Sequence, residues 1–80
     1  MNWDGQVVFL TGASSGIGEG LALALAKRGA VLGLVARRRE MLDDLADRCR
    51  KLGGTARVFA IDVTDEAAVA EAADEMRSEF

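Results

Sequence analysis

Gly12, Gly16 and Gly18 punctuate the run Thr11-Gly12-Ala13-Ser14-Ser15-Gly16-Ile17-Gly18, which follows the apolar stretch Val7-Val8-Phe9-Leu10 and opens onto a segment rich in alanine and leucine. Backbone without Cβ atoms lets an anion come close to its N–H groups, and the positive end of a following helix adds a favourable field. Chemistry of this kind suits a phosphate or pyrophosphate. Further along, Arg37-Arg38-Arg39 gather three guanidiniums where a second helix should begin. The helix dipole disfavours that cluster, and an external anion would resolve the conflict. Asp62 completes the candidates; as a residue type it fits a turn as readily as a ligand contact.

These residues stand at the ends of apolar runs. Residues 6 to 10, 31 to 35 and 57 to 61 read as strands buried on both faces of a parallel sheet. Between them, residues 17 to 28 place Ile17, Leu21, Ala24 and Leu25 on one helical stripe, and residues 39 to 52 place Leu42, Leu45, Cys49 and Leu52 on another. The Gly53-Gly54 pair is expected to end the second helix. Thr64 is the expected N-cap of a third, with Asp65 and Glu66 in its first turn and Val69, Ala72 or Ala73, Met76 and Phe80 on its buried face. The order β-α-β-α-β-α with right-handed crossovers predicts an α/β fold: a Rossmann-like parallel sheet of three strands flanked by helices, an incomplete doubly wound arrangement. No proline, linker or repeat divides residues 1–80, which read as one unit.

Composition narrows the partners. Eighty residues with a net charge of −3, 50% apolar and 29% charged, read as a small globular unit without the basic character that nucleic acid requires. A chain of this size buries only about 60–65% of the surface its unfolded form exposes, so marginal stability is expected. No stretch reaches the roughly 18 apolar residues of a membrane span, and the N-terminus does not read as a signal peptide, so a cytoplasmic location is expected. Cys49 is the only cysteine and histidine is absent, which leaves no intrachain disulfide and no expected metal site. Cys49 itself reads as a small buried hydrophobe.

Spacing separates the motifs that compete for the glycine turn. A P-loop needs glycine and lysine where Ile17 and Gly18 stand, and Gly-x-Gly-x-x-Gly fails because Leu21 occupies the last glycine position. Gly12-Ala13-Ser14-Ser15-Gly16 matches the nucleophile elbow of serine hydrolases, with Ser14 as nucleophile, but no histidine is present to act as its base. A turn that uses glycine for geometry alone is the remaining alternative. What stands is Thr-Gly-x-x-x-Gly-x-Gly, which resembles the signature of the short-chain dehydrogenase/reductase family, and the likeness runs through essentially all 80 residues. The resemblance implies that residues 1–80 are part of a dinucleotide-binding Rossmann domain. It further implies backbone contacts from Gly12, Gly16, Ile17 and Gly18 to the cofactor pyrophosphate, and hydroxyls from Ser14 and Ser15 near the adenosine phosphate.

In a dinucleotide fold an acidic residue at the end of the second strand grips the ribose 2′-hydroxyl of NAD. Here that position is Ala36, followed by the arginines. A guanidinium binds phosphate with paired charge-assisted hydrogen bonds worth about 1.5–3 kcal/mol each, enough to favour NADP(H) over NAD(H) by one to two powers of ten. The resemblance makes Arg37 the first candidate for the 2′-phosphate and Arg38 the second; the alternative is a solvated basic face balanced by Glu40, Asp43 and Asp44. Asp62-Val63 is similar to the family's adenine-binding pair, which implies a carboxylate at the adenine amino group and the Val63 amide at a ring nitrogen.

Catalysis is a separate matter. The family implied by the resemblance moves hydride between NAD(P)H and a carbonyl or alcohol, using a tyrosine, a lysine four residues later and a serine. This chain has no tyrosine, its lysines are Lys27 and Lys51, and the family's Asn-Asn-Ala-Gly segment is absent. No catalytic residue is assigned. The expectation is the NADP(H)-binding N-terminal part of an oxidoreductase, inactive alone, with the catalytic half absent, an unpaired edge on the first strand, and a homo-oligomeric state at full length. The competing reading is a non-catalytic nucleotide-binding or interaction module.

Overall fold

Alternation along the middle strand decides how the layers stack. The structure, a computed structural model, describes residues 2–13 and 15–80. Its elements are β1 (Val7–Thr11), α1 (Gly16–Lys27), β2 (Val31–Ala36), α2 (Arg39–Lys51), β3 (Thr55–Ala60) and α3 (Glu66–Glu79). The three strands form one parallel sheet in the order β1-β2-β3, with Val8 opposite Leu32 and Leu32 opposite Ala56. This is the expected β-α-β-α-β-α arrangement.

Because successive side chains of a strand point to opposite faces, β2 feeds two cores. Leu32, Leu34 and Ala36 join Ala22, Leu25 and Ala26 of α1 and Leu42, Leu45, Ala46 and Cys49 of α2 on one face. Val35 joins Phe59, Ala72 and Met76 beneath α3 on the other. Both faces of β2 are therefore covered, whereas β1, expected to be buried on both faces, has no buried residue, and β3 buries only Ala56 and Phe59. Gly33 makes this possible at the centre: Phe9 and Met76 fill the volume its side chain would take. Among the described residues β1 pairs with β2 alone, and Val7 remains 43% exposed.

Several expected details move. On α1 the buried positions are Ala22, Leu25 and Ala26, whereas Ile17 and Leu21 are exposed, Ile17 by 89%, and Ala24 faces solvent too. The small alanines win because they allow close approach: Gly54 sits against the Ala26 backbone where nothing larger would fit. Leu52 and Phe80, at the ends of their helices, lie outside the packed layers and are exposed. The N-cap of α3 is Asp65, whose carboxylate accepts from the Ala68 amide at 3.1 Å, because the neighbouring Thr64 is engaged with Asp62. The Gly53-Gly54 pair does end α2: Gly53 takes φ +102°, and the Gly54 amide donates to the Cys49 carbonyl at 3.1 Å.

Candidate functional site

All three strands run the same way, so their C-terminal ends meet at one edge, together with the loops that follow. The β1–α1 turn is held in a defined shape. Gly12 adopts φ +70°, which favours glycine, and the buried Ala13 donates its amide to the Val35 carbonyl at 3.2 Å, tying the turn to β2. Ser15 is the N-cap of α1: its hydroxyl donates to the Gly12 carbonyl at 2.9 Å and accepts from the Gly18 amide at 3.2 Å. The Gly16 and Ile17 amides, at the head of the same helix, find no acceptor among the described residues. Ser14 lies outside the described residues.

The glycines of this turn differ in kind. A Cβ on Gly18 would collide with the Gly12 carbonyl oxygen and crowd Ala13, so Gly18 is fixed by the close packing of α1 on the turn that follows β1. A Cβ on Gly16 would meet nothing within 4 Å among the described residues, and Gly16 does not need the left-handed region. Among the described residues nothing asks for glycine there, although glycine costs up to about 1 kcal/mol against alanine in a helix.

Beyond β2, Arg37 and Arg38 bring their charges to the same edge. Arg38 is the N-cap of α2 and makes no side-chain capping bond, the reverse of what a helix start prefers. Arg39 turns instead along its own helix, 3.9 Å from Asp43. After β3, Asp62 Oδ1 accepts from the Thr64 amide at 2.9 Å and from the Thr64 hydroxyl at 2.8 Å. Those two donors, with a smaller contribution from the Arg37 guanidinium, hold the Asp62 carboxyl below the usual carboxylate range. Arg37 Nη2 lies 3.6 Å from Asp62 Oδ2, so two residues expected to touch different parts of one ligand also face each other.

Gly12, Arg37, Arg38 and Val63 together line a cleft of about 590 Å³ at the strand ends. Ala36, the position without its acid, lines it as well. Ser15, Gly16, Ile17 and Gly18 continue the turn from Gly12 and are not part of that lining. Three wall residues carry no site assignment from the sequence: Thr11, which opens the Thr-Gly signature, Met41 and Ile61. Thr11 ends β1, Ile61 follows β3 and Met41 lies in the first turn of α2, so for Met41 and Ile61 position relative to the strand ends was the only signal. A neighbouring ion pair links α1 to α2: Arg48 Nη1 donates to Glu19 Oε1 at 2.8 Å. Among the described residues no group of three metal-ligating side chains gathers, and no helix is long and apolar enough to cross a membrane.

The arrangement can do two things chemically: present free amides at a helix start to an anion, and set guanidiniums beside an apolar cleft floored by the sheet. Known proteins of similar sequence and structure bear on that geometry. Residues 6–80 match the family model described as short chain dehydrogenase. The chain is 64% identical over 50 residues to 11-beta-hydroxysteroid dehydrogenase-like 4A of Arabidopsis thaliana, an alignment covering 62% of this chain and 17% of that relative. It superposes on NAD+-bound xylitol dehydrogenase with a TM-score of 0.91 and 35% identity, covering 100% of this chain and 31% of the other. It also superposes on L-sorbose reductase of Gluconobacter frateurii, complexed with NADPH and L-sorbose, with a TM-score of 0.87 and 36% identity, covering 100% of this chain and 32% of that one. The chain thus spans less than a third of each of these three proteins. With a family match over nearly its whole length and a Rossmann-like sheet beneath its glycine turn, the chain belongs to the short-chain dehydrogenase family.

Proposed function

We propose that these 80 residues bind NADP(H) for an oxidoreductase that transfers hydride between that cofactor and a carbonyl or alcohol substrate. The observation that carries the reading is Gly16: a helical glycine with open space where its side chain would be, required by neither packing nor backbone angle. Gly20, later in α1, is equally open, so what points the vacancy at an anion is the place of Gly16 at the head of the helix, where its own amide and that of Ile17 find no acceptor among the described residues. Gly16 and Ile17 would offer their amides to the pyrophosphate, while Ser15 keeps the turn in shape and Gly12 admits the backbone bend. Gly18 serves the site by letting α1 close onto the turn at Gly12 and Ala13.

Cofactor choice rests on Ala36, Arg37 and Arg38. Ala36 offers no carboxylate to a ribose 2′-hydroxyl, and the two arginines flank the cleft with positive charge. Arg37 would take a 2′-phosphate with paired hydrogen bonds, and Arg38, uncapped at a helix start, would gain from the same anion. Val63 and Asp62 would meet the adenine edge. Bound NADP(H) supplies the hydride carrier; the residues here hold and orient it. Proton transfer to the substrate would belong to groups outside these residues in the intact oxidoreductase, since none of the 80 is a tyrosine.

The test is a fluorescence titration of NADPH and NADH against the chain and against Arg37→Ala. NADPH should bind more tightly to the unmodified chain, and Arg37→Ala should weaken NADPH by about tenfold or more while leaving NADH nearly unchanged. Equal affinity of the unmodified chain for both cofactors would contradict the assignment.

A further inference from the structure

We propose that Asp62 sets the margin by which the cleft prefers NADP(H) over NAD(H), holding Arg37 until a 2′-phosphate displaces it. The inference rests on the dinucleotide reading above. Asp62 is the fixed partner: both Thr64 donors converge on Oδ1, which leaves Oδ2 aimed at Arg37. Arg37 is the movable one, with a side chain 75% exposed. Their separation of 3.6 Å is an ion pair without a hydrogen bond, so the carboxylate is a weak stand-in for a phosphate that could fill the guanidinium fork with two bonds.

The consequence is a competition that only one cofactor enters. NADPH brings an anion that must take Arg37 from Asp62 and then lie near that carboxylate. NADH brings no anion to this position and leaves the pair intact. Asp62 therefore lowers the affinity for NADPH selectively, and the selectivity of the chain is narrower than Arg37 alone would make it.

The experiment measures NADPH and NADH affinities for the unmodified chain, for Asp62→Asn and for Asp62→Ser. Asparagine keeps an Oδ1 acceptor for Thr64 and removes the charge; serine removes the charge with a smaller acceptor, in case the first variant folds poorly. Any loss of an adenine contact falls on both cofactors and cancels in the ratio of affinities. That ratio should move about 2- to 5-fold further towards NADPH, the size of an exposed ion pair. A ratio unchanged or moved towards NADH, with the unmodified chain still preferring NADPH, overturns this inference and leaves the proposed function standing. An unmodified chain that binds neither cofactor, or both equally, overturns the underlying reading and this inference with it.

Discussion

The Gly12 carbonyl oxygen occupies the space that a Cβ on Gly18 would need, while a Cβ on Gly16, two residues earlier in the same helix, would meet open space. Two glycines of one turn are thus separable by experiment. Gly18→Ala should destabilise the fold by about 1–3 kcal/mol, the range for overpacking, seen as a lower urea midpoint. Gly16→Ala should cost no stability and could add up to about 1 kcal/mol, yet weaken NADPH binding about tenfold by filling the anion approach. Unchanged NADPH affinity in Gly16→Ala would remove that residue from the site.

The core is expected to respond through β2. Leu34 is fully buried between sheet and helices, and Leu34→Ala should lose about 2–5 kcal/mol, a large share of what an 80-residue chain possesses. Ile17→Ala, at a position 89% exposed, should stay within about 0.5 kcal/mol. Chemical denaturation followed by circular dichroism distinguishes them, and a comparable loss in both would contradict the outward placement of Ile17.

That placement marks the boundary of what was legible in the sequence. Strand and helix order could be read because apolar runs alternate with stretches carrying polar contrast, as in α2, where Leu42, Leu45 and Cys49 are buried as expected. In α1 nearly every position is apolar, so periodicity could not say which stripe turns inward; close approach selected Ala22 and Ala26. Thr64 and Asp65 are both capping types in adjacent positions, and only the hold of Asp62 on Thr64 decides between them. In the site, glycines and arginines announced themselves by being costly where they stand. Met41 and Ile61 did not, because an ordinary residue after a strand or in a first helical turn carries no chemical signature.

Acidification should reveal the Thr64 clamp. Asp62 has its carboxyl held below the 3.8 of an unperturbed aspartate, chiefly by the Thr64 amide and hydroxyl. The folded state therefore gains stability from Asp62 above that unperturbed value, and the gain is lost as pH falls through the lower folded value. Thr64→Val removes the hydroxyl donor, so the Asp62 carboxyl titration followed by NMR should move upward towards the ordinary aspartate value. No movement would show that the hydroxyl does not act on the carboxylate.

Cys49 offers a probe of opening. It is fully buried on α2, and burial raises its thiol above the usual range despite the neighbouring Arg48 and Arg50. A thiol reagent at neutral pH should label the folded chain slowly and the urea-unfolded chain fast. Equally fast labelling of both would mean that α2 does not stay docked on the sheet.

The most direct measurement of cofactor binding is a backbone amide NMR titration of the chain with NADP+. The expected result is a single saturable set of shifts at Gly16, Ile17, Arg37, Arg38 and Val63, joining the β1–α1 turn to the ends of β2 and β3 in one footprint. Shifts confined to α3 and Arg57, or none at the Gly16 and Ile17 amides at saturation, would contradict a dinucleotide held across the strand ends.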